Sequence, residues 1–118
     1  SLINLRTLDL NFSGSTTIDD AAVIMFLDRM KGSLCLLTHL ELQFCSCPKV
    51  TDRSITHFPS WISQLSELKV LELYFTRCEL IKGEGYEVMG TFLKNAKLPL
   101  EKLVVHLNAK TMDLQDIQ

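Results

Sequence analysis

Hydrophobic and polar residues alternate in four short stretches of the chain, which follow one another at a nearly constant interval. They read LRTLDLNFS from Leu5, LTHLELQFC from Leu37, LKVLELYFT from Leu68 and LEKLVVHLN from Leu100. The four starting leucines lie 32, 31 and 32 residues apart, so a single period runs through the chain. Because alternation with a period of two is typical of a half-buried strand, we predict one strand in each repeat.

Between the strands, the apolar spacing changes to that of an amphipathic helix. After the first strand, Asp19 and Asp20 are suited to a helix start, and Lys31 and Gly32 to its end. The predicted apolar stripe between them comprises Ala22, Val23, Phe26, Leu27 and Met30.

The later connections are less regular. Pro59 predicts either a short turn at 52–57 followed by a helix at 59–65, or one kinked helix. A third helix is expected around Tyr86, Met89, Phe92 and Leu93. After the fourth strand we expect polar residues and a short tail at 113–118, without a further helix.

A strand, a turn and a helix in every 31–32 residues favour an α/β solenoid of about four repeats. Parallel strands would line its concave face and helices its convex face, with each repeat burying its apolar side against its neighbours. We therefore predict one array over residues 1–118. Leu2 and Ile3 begin it without a polar capping unit, so we expect it to be part of a longer solenoid.

Composition narrows the possible functions. The chain has 118 residues, of which 47% are hydrophobic, and a net charge of −2. Lysine and arginine are scattered, which argues against nucleic-acid binding through phosphate neutralisation. No apolar run approaches the roughly 20 residues that a membrane-spanning helix needs.

Four cysteines, Cys35, Cys45, Cys47 and Cys78, are far fewer than a disulfide scaffold contains. This favours an intracellular, cytoplasmic location. Cys47 and Cys78 share the repeat offset of 31 residues and should be neighbours, either as a disulfide, redox pair or metal site, or as two reduced thiols. We favour reduced thiols, and we predict no metal and no cofactor, because a fourth ligand is lacking.

Three histidines, His39, His57 and His106, raise the question of catalysis. A nucleophile requires a base within hydrogen-bond reach and a third group that orients the base. The repeat offset separates His39 and His106 by two strands, and no nucleophile turn or phosphate-binding loop accompanies them. We therefore predict no catalytic residues and no enzymatic activity.

The outward positions of the predicted strands form columns across the sheet. Asp9, Glu41 and Glu72 occupy one acidic column, and like charges on neighbouring strands are mildly destabilising. This favours a binding role over a merely solvated face. The predicted partner-binding residues are Asp9, Asn11, His39, Glu41, Gln43, Glu72, Tyr74, Lys102 and His106.

Another column contains Phe12, Phe44, Phe75 and Leu107. If these side chains were exposed, they would form an aromatic anchor for a partner. Each of them, however, lies an even number of residues from the core leucines of its strand, which places it on the same side of the strand. We therefore expect them to pack in the core.

The pattern L-x-x-L-x-L-x-x-[CN] resembles that of leucine-rich repeat proteins over essentially the whole chain. LTHLELQFC followed by Val50, Thr51 and Asp52 is similar to the cysteine-containing subclass found in F-box proteins, and the helical return stretches resemble ribonuclease-inhibitor-like repeats. The resemblance implies that a turn residue in each repeat bonds otherwise unpaired backbone groups. These residues are Ser13, Cys45, Thr76 and Asn108.

The repeat and the resemblance together lead us to expect a protein–protein interaction scaffold that binds through the concave strand face. The acidic column favours a partner with a basic or hydroxyl-rich segment, within a larger chain or complex. Two alternatives are the substrate-recognition region of an F-box-type ubiquitin ligase and an architectural subunit of a large assembly.

Overall fold

The computed structural model describes residues 4–118, in which five strands form one sheet accompanied by five helices. The uncapped start predicted at Leu2 and Ile3 lies outside the described residues. In chain order the elements are β1 (Thr7–Asn11), α1 (Asp20–Met30), β2 (His39–Gln43), α2 (Asp52–Ile55), α3 (Phe58–Ile62), β3 (Val70–Thr76), α4 (Glu84–Asn95), β4 (Lys102–Asn108), β5 (Lys110–Asp113) and α5 (Leu114–Ile117).

The four repeated segments form the four parallel strands, in the sheet order β1-β2-β3-β4. Their pairing follows the sequence period, because Leu8, Leu40, Leu71 and Leu103 are register partners on successive strands. The strand positions read from the period-two alternation are thus confirmed.

The helices agree with their sequence signals in most respects. Asp19 caps α1 by accepting a hydrogen bond from the Ala22 amide, and Gly32 follows the helix with φ of 77°, a conformation that suits glycine. The region around Pro59 forms two short helices, α2 and α3, rather than one kinked helix. Proline lies at the start of α3, where its missing N–H costs no helical hydrogen bond.

The expectation of polar residues and a short tail without a further helix after β4 is wrong, because a fifth strand and a short helix follow. Asn108 adopts a left-handed conformation with φ of 57°, so the chain reverses within two residues and β5 pairs antiparallel with β4. Met112 of β5 is buried in the core, and the Tyr86 hydroxyl of α4 donates to the Thr111 carbonyl. Asp113 and Asp116 then form a capping box that starts α5.

The predicted solenoid, with strands on a concave face and helices on a convex face, is also wrong. The described chain is a compact α/β domain of 34 × 32 × 18 Å with a radius of gyration of 13.2 Å. Its five-stranded sheet is mixed, because β5 runs against the other four strands. Pairing of β5 with β4 ends the parallel progression that an open solenoid would continue.

The aromatic column belongs to the core, as its parity indicated. Phe44 and Phe75 are 3% and 0% exposed, and their rings stack at 5.1 Å between centroids. Phe12 extends the stack towards β1 at 5.2 Å from Phe44, and Phe58 of α3 meets Phe75 edge to face. One continuous stack of rings therefore links the sheet to the helical layer.

Two aspartates at equivalent positions of the repeat join each helix start to the next. The Asp20 carboxylate accepts hydrogen bonds from the Thr51 amide, the Thr51 hydroxyl and the buried Ser54 hydroxyl. Asp52 accepts in the same way from the amides of Lys82 and Gly85, at 2.7 and 2.8 Å. Burial of Asp20 opposes ionisation, but the hydrogen bonds from Ser54 and Thr51 outweigh it and lower its pKa.

The two cysteines that share the repeat offset act as buried hydrogen-bond donors. Cys47 and Cys78 are both free thiols with 0% exposure. Cys78 Sγ donates to the Phe44 carbonyl at 3.0 Å, and Cys47 Sγ donates to the Phe12 carbonyl at 3.5 Å. Each thiol thus donates to the backbone carbonyl of the residue that follows the strand of the preceding repeat. Burial raises the pKa of Cys78.

The turn residues implied by the resemblance contribute further backbone contacts. Ser13 Oγ accepts from the Cys45 amide, Cys45 Sγ approaches the Tyr74 carbonyl at 3.8 Å, and Asn108 Nδ2 donates to the Ile81 carbonyl. The stronger sulfur contact nevertheless lies two residues further along each turn, at Cys47 and Cys78.

Candidate functional site

The sheet has one face packed on the helices and one face whose side chains point away from the core. We term the second face the open face. It exists because outward residues alternate with core residues along every strand. The register places Asp9 beside Glu41 and Glu41 beside Glu72, as the sequence columns predicted. The nine predicted partner-binding residues on β1–β4 are Asp9, Asn11, His39, Glu41, Gln43, Glu72, Tyr74, Lys102 and His106.

Glu72 is the centre of the open face and is only 7% exposed. The Tyr74 hydroxyl donates to its Oε1 at 2.7 Å, and Lys102 Nζ lies 3.4 Å from the same oxygen. The second oxygen, Oε2, faces His39 Nε2 at 3.9 Å. Three neighbouring strands, β2, β3 and β4, therefore contribute one side chain each around this carboxylate.

The electrostatics of this cluster stabilise the ionised carboxylate. The hydrogen bond from Tyr74 lowers the pKa of Glu72 against the opposing effect of burial, with further help from Lys102 and His39. Burial and the same hydrogen bond raise the pKa of Tyr74 to about 12. Tyr74 is therefore a neutral donor, and Glu72 a charged acceptor, at neutral pH.

The other members of the acidic column are less well neutralised. Glu41 Oε2 accepts a hydrogen bond from Gln43 Nε2 at 2.9 Å, which orients the carboxylate without compensating its charge. Asp9 is exposed at the β1 end of the column. Lys102 lies against Glu72, so the negative potential is concentrated towards Asp9 and Glu41.

The structure separates two predicted residues from the central cluster. His106 Nδ1 pairs with the Thr111 hydroxyl of β5, and the Asn11 carboxamide oxygen accepts from the Ser13 amide at the end of β1. These two side chains shape the borders of the open face. The central cluster consists of His39, Glu41, Gln43, Glu72, Tyr74 and Lys102.

The contribution of β5 to the open face, which includes Thr111, was missed from the sequence. Thr111 extends the face across β5, where it is the register partner of His106. Its signal was the alternation in KTMD after Asn108, a residue that tolerates the left-handed turn conformation. The repeat predicts only parallel strands, so it does not indicate that this strand runs antiparallel to β4.

The arrangement is chemically suited to binding cationic groups. The carboxylate oxygens of Glu41 and Glu72 and the imidazole nitrogens of His39 are also metal-ligand types, and one such atom from each residue lies within 4.8 Å of the other two. No helix within residues 4–118 is both long enough and apolar enough to cross a membrane.

In comparisons with known proteins, no family model, no curated protein and no solved structure matches the chain. The fold and its open face define the molecule as a small α/β domain with an acidic column on its sheet.

The lowered pKa of Glu72 leads to a prediction for stability against pH. Its contribution is fully present above the unfolded-state pKa of about 4.3, and it is lost as the pH falls through the lower folded-state pKa. Urea unfolding between pH 6 and pH 3 should show a smaller loss of stability in Glu72→Gln than in the wild type. A matched control, Glu79→Gln at an exposed turn position, should follow the wild type. Equal acid sensitivity of Glu72→Gln and the wild type would contradict the assignment.

Proposed function

We propose that the chain is a protein-recognition module that binds a basic segment of a partner protein through the open face. The single observation that supports this most is the pairing of like charges, since Asp9, Glu41 and Glu72 are register partners on three adjacent strands. Such pairing costs stability, and a cationic partner would remove that cost.

The distribution of charge on the face refines the proposed docking position. Glu72 is already neighboured by Lys102 and His39, whereas the charges of Asp9 and Glu41 lack a comparable ion pair among the described residues. Neighbouring strands lie about 4.8 Å apart, so these two carboxylates can be bridged by one lysine or arginine. A basic side chain of the partner is therefore expected between β1 and β2.

Side chains beside the acidic column would complete the interface. Tyr74 and Gln43 are register partners and half-buried, so they offer a flat surface with polar groups at its edge. Tyrosine is enriched at interaction hot spots because its ring adds apolar contact without many rotatable bonds. Tyr74 is thus the proposed apolar contact beside the charged pair.

Three further expectations belong to this proposal. The four segments of the form L-x-x-L-x-[LV] support kinship with leucine-rich repeat proteins, here within a compact domain. The proposed role is binding without catalysis. An intracellular location is supported by the free cysteines, two of which serve as buried donors to backbone carbonyls.

Charge reversal on the open face provides the test. Peptides would be selected on the wild-type chain from a random library and then titrated against the double variant Asp9→Lys/Glu41→Lys. We expect the selected peptides to be basic and to bind this variant at least tenfold more weakly, because close charge pairs across an interface contribute about 1.4 kcal/mol or more.

The matched control is the double variant Asp28→Lys/Glu87→Lys, which makes the same change in net charge on exposed positions of α1 and α4. It should bind the selected peptides as the wild type does. Equal weakening in both double variants would show that net charge alone causes the effect. Unchanged binding to Asp9→Lys/Glu41→Lys would refute the proposed face.

A further inference from the structure

The centre of the open face brings together three side chains of metal-binding type. His39 and Glu41 lie on the same side of β2, and Glu72 is the register partner of Glu41 on β3. One imidazole nitrogen of His39 and one oxygen of each carboxylate all lie within 4.8 Å of one another. We propose that His39, Glu41 and Glu72 form a Zn²⁺ site on this face.

The distances are close to those that zinc requires. Zinc binds imidazole nitrogen and carboxylate oxygen at about 2.0–2.2 Å in tetrahedral geometry, which separates neighbouring ligand atoms by about 3.4 Å. His39 Nε2 and Glu72 Oε2 are already 3.9 Å apart. Side-chain rotations that shorten the separations of up to 4.8 Å would complete a three-ligand site.

Hydrogen bonds outside the three ligands hold both carboxylates in a suitable orientation. Tyr74 donates to Glu72 Oε1 and leaves Oε2 directed at His39. Gln43 donates to Glu41 Oε2 in the same way, from the equivalent position two residues further along its strand. Such partners fix the orientation of metal ligands and raise metal affinity, so Tyr74 and Gln43 are positioning residues.

Charge also favours a divalent cation at this position. The acidic column carries three carboxylates, and Lys102 contacts Glu72 Oε1 rather than the oxygen that faces His39. A Zn²⁺ ion would compensate the repulsion between Glu41 and Glu72. Borderline ligands of nitrogen and oxygen, including one imidazole, suit zinc better than Ca²⁺ or Mg²⁺, which prefer oxygen alone.

Three protein ligands leave the fourth tetrahedral position open. Water or a side chain of a bound protein would occupy it, because the three ligand residues lie on the open face. Binding of the ion is separate from peptide recognition and can be measured without any partner protein.

Calorimetric titration of ZnCl₂ into the full chain, with Cys35→Ser to remove the exposed thiol, tests the site directly. We expect one ion per chain, and at least tenfold weaker binding in His39→Ala and Glu41→Gln. Tyr74→Phe should weaken binding by about tenfold. Lys102→Ala should strengthen binding up to about fivefold, because it removes the cation that competes for Glu72.

The controls separate this site from other ligands. His57→Ala removes a histidine outside the open face and should leave zinc affinity unchanged. Co²⁺ in place of zinc should show no thiolate-to-cobalt absorption band. Absence of zinc binding, a thiolate band, or equal affinity in His39→Ala and the parent chain would overturn the site. None of these outcomes bears on peptide binding by Asp9 and Glu41, which is measured in metal-free buffer.

Discussion

Replacing Phe75 by alanine is expected to lower the free energy of unfolding by about 4 kcal/mol. The side chain is fully buried, stacks on Phe44 and meets the edge of Phe58. Its removal leaves a cavity between the sheet and the helical layer, bounded by rings that cannot all move inward. Native domains are stable by only about 5–15 kcal/mol, so urea denaturation should show a large shift of the midpoint.

Phe12→Ala is the matched control, because Phe12 stacks at the β1 end of the same column but is only partly buried. It should lose clearly less stability than Phe75→Ala. Phe75→Leu retains most of the apolar volume and should cost about 1.5 kcal/mol, which keeps a folded variant available. Equal losses of unfolding free energy for Phe12→Ala and Phe75→Ala would contradict the deeper burial of Phe75 in the aromatic column.

The second large effect is expected at Asp20. Asp20→Ala should lower the free energy of unfolding by roughly 3 kcal/mol, because hydrogen bonds to a charged group are lost and a buried hydroxyl is left unpaired. The carboxylate accepts from the Thr51 amide and hydroxyl and from Ser54, which is 0% exposed. Thermal and urea unfolding of the variant would measure the loss.

The neighbouring residue provides the control. Asp19→Ala removes the α1 N-cap, which accepts from the Ala22 amide, and should cost about 1 kcal/mol. A loss at Asp20 no larger than that at Asp19 would show that the contact between successive helix starts contributes little. Ser54→Ala combined with Asp20→Ala should then be less than additive, since the two groups share one hydrogen bond.

Much of the sheet could be predicted from the sequence, because both of its determinants are periodic. Alternation marks each strand, and the constant offset fixes which residues become neighbours, as Leu40 and Leu71 illustrate. The burial of Phe44 and Phe75 follows from the same parity. These features depend on periodicity alone, which a single sequence displays directly.

The last two elements, β5 and α5, could not be predicted in the same way. β5 and α5 break the repeat, so extrapolating the period led to a tail and an open solenoid. The reversal depends on the left-handed conformation of Asn108 and on burial of Met112, and neither is part of the repeated pattern. A short strand whose direction is set by one turn residue carries a weak sequence signal.

The open face shows the same division between local and tertiary information. The columns of Asp9, Glu41 and Glu72 were readable from the offset. The neutralisation of Glu72 was not, because it depends on the conformations of Tyr74 and Lys102. The acidic column is therefore uneven, with its uncompensated charge towards β1 and its buried, hydrogen-bonded carboxylate at the centre.

Amide chemical-shift mapping of a selected basic peptide on the isotopically labelled chain tests the recognition proposal most directly. The open-face proposal predicts the largest shifts in β1 and β2, around Asp9 and Glu41, with smaller shifts around Tyr74. Shifts concentrated in α1 and α4, on the opposite side of the sheet, would contradict it.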